Sequence, residues 1–214
     1  MRTRTNYTMP TFAEEQGMAA RGYRYIAGID EAGRGALAGP VVAAAVILPH
    51  RRLRGRWVQQ VTDSKLLSAE KRRYLCQHIK EIAVSLAVGV ISQEIIDAQN
   101  ILRATRLAMK QAIDGLSPPA EALLIDYLRL PEVALPQKGI VNGDRLCFSI
   151  ACASIVAKVS RDQMMADLDG DYPGYGLARH KGYGTREHLS CLDRLGPSRI
   201  HRTSFQPVKS RYGR

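Results

Sequence analysis

Three short apolar segments of this chain each run into an aspartate, and that repetition narrows the fold more than any other feature. "YRYIAGIDE" (Tyr23 to Glu31) alternates as a strand does and ends on Asp30 and Glu31. "ALLIDYL" (Ala122 to Leu128) carries Asp126, and "KGIVNGD" (Lys138 to Asp144) places Asp144 just past its end. Short alternating or wholly apolar runs read as strands. Open α/β sheets gather their ligands beyond the carboxyl ends of strands, so carboxylates placed there can converge on one crevice.

The rest of the chain supplies more sheet and its cover. "GPVVAAAVILP" (Gly39 to Pro49) is a second, largely buried strand, separated from the first by glycine-rich turn chemistry, and "VSLAVGVIS" (Val84 to Ser92) is a third. The patterning predicts helices from Ser68 to about Ile82, Gln93 to Ile113, Phe148 to about Asp167, and Thr185 to Leu195, with Pro118-Pro119 as a breaker. Five strands with helices between and after them imply a mixed sheet in an α/β layer architecture. Residues 1–21 are polar and aperiodic and are expected to form a poorly ordered extension. Residues 22–214 are expected to form one domain, since 214 residues at 45% hydrophobic can bury a substantial core.

Charge restricts the partner. Lys and Arg total 31 against 20 acids, a net charge of +11, which favours a polyanion. Nucleic acid is favoured over a membrane: the longest apolar stretch, Val41 to Leu48, falls far short of the ~20 residues a span needs, and no signal-peptide pattern opens the chain. Cys76, Cys147, Cys152 and Cys191 show neither CxxC spacing nor histidines at zinc-finger intervals, so reduced, buried thiols of a cytoplasmic protein are expected and zinc is set aside.

Singly, an aspartate after a strand is a turn former or a helix cap. Three of them, with Glu31 beside the first, repel one another unless cations intervene, and hard oxygen ligands suit Mg²⁺ or Mn²⁺. Adjacent strand residues point to opposite faces, so Asp30 and Glu31 share a site only if the strand ends or twists there; Gly33 and Gly35 are expected to permit that departure. On "SIACASIVAKVSRD", Ser154, Lys158 and Arg161 share a helix face at i, i+4 and i+7, beside an apolar stripe of Ala151, Ile155 and Val159, and Asp162 is placed to pair with Lys158. Ser64 and Lys65 precede a helix N-terminus, a favourable place for anions, and "HKGYGT" offers the ring of Tyr183 for stacking. A basic, non-catalytic nucleic-acid binder stays open as an alternative, although it would not need strand-end carboxylates. So does a resolvase- or transposase-like nuclease.

The chain resembles the type 2 ribonucleases H, the bacterial ribonuclease HII family in particular, over nearly all of Tyr25 to Lys209. The resemblance is carried by "GIDEAGRGALAGPVVAAAVIL", "TDSKLLS", "NILRATRLAM", "LLID", Gly143-Asp144, "ACASIVAKVSRD", "YPGYGLARHKGYGT" and "HRTSFQPVK". It implies an RNase H-like fold with a central mixed five-stranded sheet flanked by helices and a C-terminal helical part. It implies that Asp30, Glu31, Asp126 and Asp144 are the catalytic acids and hold two divalent ions, Mn²⁺ or Mg²⁺, about 3.5–4 Å apart in the active complex. Gly33, Arg34 and Gly35 match the family's glycine–arginine–glycine motif, Tyr183 its junction-reading tyrosine, and Ser64, Lys65, Ser154 and Lys158 its phosphate contacts. The implied activity is an endonuclease acting on RNA–DNA hybrids and on ribonucleotide-containing DNA, as in ribonucleotide repair, and a monomer is expected. Two departures stand beside the motifs: Tyr127 follows Asp126 where many relatives have glycine, and Asn142 stands where a lysine is frequent. The tail "PVKSRYGR" is read as solvated charge, with a sliding-clamp contact as the alternative.

Overall fold

The computed structural model describes residues 9–49 and 53–211. The expectations made for residues 1–8 and for the tail at 212–214 lie outside the described residues. The sheet comprises β1 (Ile26–Ala32), β2 (Val41–Ile47), β3 (Ser85–Ile91), β4 (Ala122–Asp126) and β5 (Gln137–Ile140), in the spatial order β3-β2-β1-β4-β5. β1, β2 and β3 form an antiparallel meander, while β4 and β5 run parallel to β1. This is the five-stranded mixed sheet expected from the sequence.

Its two faces are covered by different helices. Ala27, Ile29, Val41, Ala43, Leu123 and Ile125 share one buried cluster with Ala104, Ala108, Met109 and Ala112 of α4 (Ile101–Asp114). The opposite face meets α6 (Phe148–Asp171), which crosses β1 at Gly28. A methyl group at Gly28 would lie 2.2 Å from the Ser149 carbonyl carbon, so only glycine permits the crossing. α2 (Ala69–Ile82), capped by Ser68 through the Lys71 N–H, covers the far side of α6 with Leu75, Cys76 and Ile79. Every residue from Phe148 to Ala157 is therefore buried, and the first half of α6 has no solvent face.

Several local expectations are corrected. The pattern from Gln93 to Ile113 divides into α3 (Gln93–Gln99) and α4, because Asn100 adopts φ 69° and its Oδ1 accepts the Arg103 N–H at 3.1 Å. Within the segment expected to be poorly ordered, α1 (Ala13–Ala19) is helical and buries Met18. α1 is also tied to the body: Glu15 Oε1 accepts the Ser149 N–H at the start of α6. Val159, partly buried, packs with Ala151 and Ile155 against the core as its place in the apolar stripe implies, but α6 continues past Asp167 to Asp171. In the tail read as solvated charge, Val208 is fully buried and Arg211 pairs with Asp193. The four cysteines are buried and form no disulfide. No helix among the described residues is long and apolar enough to cross a membrane.

Candidate active site

Strand register brings the acids together. The parallel pairing of β1 with β4 ends at Ile29↔Ile125, so the next residues are Asp30 and Asp126, side by side at the carboxyl end of the sheet. Alternation turns both toward α6, where the Ser154 hydroxyl donates to Asp30. β1 does not break at Glu31: it continues to Ala32, still paired with β2 through Glu31↔Ala43. The expectation that Gly33 and Gly35 bring Glu31 round is therefore corrected. β1 runs on past the end of its pairing with β4, and Glu31 lies close enough to Asp30 and Asp126 for their charges to act on one another.

Asp144 arrives by a different device. Asn142, at φ 56°, turns the chain out of β5 and into α5 (Gly143–Leu146). Asp126 Oδ1 accepts the Gly143 N–H at 2.7 Å, and the Asp144 N–H also points at Asp126, so one carboxylate caps the helix that carries the other. Tyr127 likewise has φ 57°, a backbone position that favours glycine, and it stands 64% exposed.

The electrostatics of this rim are adverse for anions alone. Burial, then the charges of Glu31 and Asp126, push the Asp30 carboxyl well above its usual range. Burial also raises Glu31, against the opposing pull of Arg34, and raises Asp126 and Asp144. The chain answers with its own cations: Arg34 Nη1 lies 3.4 Å from Glu31 Oε1, and Lys65 Nζ 3.6 Å from Asp144 Oδ2. Lys65 is itself placed by Asp63, which accepts the Lys65 N–H at 3.0 Å and pairs with Arg145. Although burial opposes its charge, the surrounding Asp144, Asp63, Asp30 and Asp126 raise the Lys65 pKa.

The remaining sequence candidates divide into accessible and committed groups. Ser64 and Ser154 are both buried with their hydroxyls 2.9 Å apart; since Ser154 donates to Asp30, Ser64 donates to Ser154. Lys158 is paired with Asp162, as its spacing predicted, and lies 5.4 Å from the Tyr183 ring centroid. Gly35 is exposed, and a methyl there would meet nothing within 4 Å. Gly33 is the opposite case: φ 93°, with the Arg161 Nε 2.0 Å from where a Cβ would stand.

Arg161 is the main surprise. Expected on a basic helix face, it is fully buried and donates to the carbonyls of Pro40, Ala38 and Lys181 at 2.9, 3.0 and 2.9 Å. Arg202, also fully buried, donates twice to the Gly39 carbonyl and once to that of Arg34 at 2.9 Å. Burial and the neighbouring Arg161 press Arg202 down to about 9, still charged at neutral pH. Together the two guanidiniums fasten the glycine loop, the loop before Tyr183 and the 200–202 segment into one unit. The nearest sequence signal was Arg202's place in "HRTSF".

The donor chemistry suits a hard divalent cation: four carboxylates on one rim, short of positive charge. Among the described residues, no three carboxylate, imidazole or thiol side chains already form a coordination shell, and Arg34 and Lys65 pair with two of the acids instead. The family model described as Ribonuclease HII matches residues 27–208. A ribonuclease HII of Dehalococcoides mccartyi is 58% identical over 203 residues, covering 95% of this chain and 96% of that protein. One from Desulfitobacterium hafniense is 56% identical over 92% of this chain and 74% of its own length. Among solved structures, the ribonuclease H2 of Pyrococcus horikoshii OT3 superposes with a TM-score of 0.70 at 22% identity, covering 86% of this chain and 95% of that one. The Archaeoglobus fulgidus RNase HII, solved in complex with PCNA, also reaches 0.70, at 24% identity over 88% and 97% of the two chains. Bst-RNase HIII, solved with Mn²⁺, reaches 0.63 at 19% identity over 86% and 68%. With its acids gathered on the rim of an RNase H-like sheet and this match across nearly its whole length, the chain belongs to the ribonuclease HII family of metal-dependent endonucleases.

Proposed function

We propose that this ribonuclease H cuts the RNA strand of RNA–DNA hybrids and also nicks duplex DNA at single embedded ribonucleotides, leaving 5′-phosphate and 3′-hydroxyl ends. The observation that carries this reading is the convergence of Asp30, Glu31, Asp126 and Asp144 beside the glycine loop. Those four residues would hold the metal, two divalent ions in the active complex, which when bound supplies water activation and charge for the leaving oxygen. The Mn²⁺ of the Bst-RNase HIII structure supports a divalent ion of this kind.

The chain's own groups do the rest. Arg34 and Lys65, which stand beside Glu31 and Asp144, would neutralise phosphate oxygens of the substrate. Gly35 leaves open space where the backbone can approach a ribose, whose 2′-hydroxyl distinguishes RNA from DNA. Tyr183, half-buried over Lys158 and Arg161, offers a fixed ring to the sugar that follows the ribonucleotide. The buried serines act at second hand, through Asp30. The PCNA complex of the Archaeoglobus fulgidus protein supports a sliding clamp as a further partner.

The test compares an RNA–DNA hybrid, a DNA duplex with one ribonucleotide, and an all-DNA duplex, each with Mg²⁺, Mn²⁺ or EDTA. Metal-dependent cutting of the first two and none of the third is expected. Cutting of the all-DNA duplex at a comparable rate, or activity that survives EDTA, overturns the proposal.

A further inference from the structure

Three histidines lie behind Tyr183, away from the acids, and the catalytic proposal uses none of them. His180 closes α7 (Leu177–His180), His188 lies in α8 (Arg186–Leu195), and His201 lies in the 200–202 segment. All three are buried. His180 and His188 stack at 4.2 Å between centroids, and His188 Nε2 lies 3.0 Å from His201 Nε2.

The hydrogen-bond partners fix where the protons sit. The Ser198 N–H donates to His201 Nδ1 at 3.0 Å, and although the Ser198 carbonyl lies 3.3 Å from the same nitrogen, the acceptor-only Tyr183 carbonyl at the other end of the pair requires the His201 proton on Nε2. That proton points at His188 Nε2, which must accept it, and the proton of His188 is therefore on Nδ1. There it donates to the Tyr183 carbonyl at 3.0 Å. A fixed donor at one end and a fixed acceptor at the other leave two protons for four ring nitrogens, and both rings are neutral. His180 is set independently, accepting the Gly182 N–H on Nδ1 and donating from Nε2 to the Tyr175 carbonyl. The groups facing the pair are His180, the Tyr175 ring, the Ser198 hydroxyl and carbonyl, the Gly182 carbonyl, and the Tyr183 carbonyl, which also accepts the Thr185 N–H.

We propose that this His201–His188 relay positions Tyr183, so that His188 and His201 set how well the enzyme recognises an isolated ribonucleotide without touching the substrate. The relay joins the loop that carries Tyr183 to the segment whose Arg202 holds the glycine loop, so the two reading elements keep one spacing. Burial, and then the neighbouring imidazole, hold His201 down to about 4 and His188 below its usual value, in keeping with neutral rings. This inference rests on the reading of Tyr183 given above.

The experiment measures the ratio of single-ribonucleotide nicking to hybrid cleavage for the wild type, Tyr183→Ala, His201→Leu and His201→Gln. Glutamine keeps an N–H for His188 and an oxygen for Ser198; leucine keeps neither. Loss of one buried hydrogen bond predicts a fall of about tenfold in the ratio for His201→Leu, and His201→Gln stays within about twofold of wild type. Ring-nitrogen NMR of the wild type is expected to show His188 protonated on Nδ1 and His201 on Nε2. If His201→Leu lowers both rates together, or leaves a ratio that Tyr183→Ala lowers, the relay's role is overturned and the reading of Tyr183 stands. If Tyr183→Ala leaves the ratio unchanged, that reading and the positioning role both fall. The opposite ring tautomers overturn the relay whatever the rates.

Discussion

The cutting rim and the reading loops begin within six residues of each other, yet they are held in place by opposite means. The rim is built by the backbone: Asp30 and Asp126 are neighbours because β1 and β4 pair up to Ile29↔Ile125, and Asp144 follows because Asp126 caps α5. The reading loops are held by side chains, the guanidiniums of Arg161 and Arg202, 121 to 168 residues away along the chain, which donate to Arg34, Ala38, Gly39 and Pro40. One region concentrates negative charge and depends on cations to neutralise it. The other buries positive charge and satisfies it with backbone carbonyls. Substitutions of the acids should therefore remove chemistry and spare the fold, while substitutions that break the buried guanidinium contacts should cost stability.

Asp126→Asn is the largest test on the catalytic side. It removes one acid and leaves a carbonyl oxygen to cap Gly143, so the fold is kept while cleavage drops by roughly three orders of magnitude or more. Near-normal turnover with Mg²⁺ would take Asp126 out of the acid set. Arg161→Met is the matching test on the other side. It strands the carbonyls of Ala38, Pro40 and Lys181 and is expected to cost about 3–5 kcal/mol of stability by denaturant unfolding. Gly33→Ala attacks the same contact from the loop, forcing alanine to a φ of 93° against the Arg161 guanidinium, at a cost of about 2–4 kcal/mol. A wild-type melting curve for either variant would break the contrast.

The same contrast decides what could be read from the sequence. The strand-end acids, the mixed sheet and the Lys158–Asp162 pair follow from periodicity and spacing, because each depends on nearby residues or on strand register. Arg161 was placed with Lys158 by helix spacing, yet α6 dips beneath the glycine loop there and buries it. No pattern announces a distant carbonyl as a partner, so Arg161, Arg202 and the histidines were invisible as supports. Asn100 was hidden in an otherwise helical pattern, and α1 was hidden because Met18 is its one buried residue.

Protonation offers a smaller test with a defined sign. His201 is lowered from 6.5 to about 4, so it stays neutral when folded and takes up a proton on unfolding. The stability it contributes is complete above the unfolded value and is lost as pH falls from about 6.5 toward 4, amounting to about 2 kcal/mol by about pH 5. The raised pKa values of Asp30, Glu31, Asp126 and Asp144 work the other way, favouring the folded protein as pH falls. The wild-type profile alone therefore mixes both regions. Comparing unfolding of the wild type and His201→Gln at about pH 7 and about pH 5 removes the shared carboxylate part, and the wild type should lose ground to the variant in acid.

Gly35→Ala should have the smallest effect on the fold, and it separates the two glycines of one motif. Gly35 requires no left-handed φ, and an added methyl meets nothing within 4 Å, so alanine restricts the unfolded chain without straining the folded one. A gain of about 0.5 kcal/mol is expected, against the loss at Gly33. If the open space beside Gly35 is where the backbone meets ribose, the more stable variant should cleave both ribose-containing substrates about tenfold more slowly, since a methyl group displaces a hydrogen bond to the 2′-hydroxyl. Thermal melts and cleavage rates on the same preparation read both effects. A variant that is stabilised and fully active would assign ribose recognition elsewhere and leave Gly35 as no more than a turn. Opposite signs in the two measurements would show that this glycine is kept for the substrate, while Gly33 is kept for Arg161.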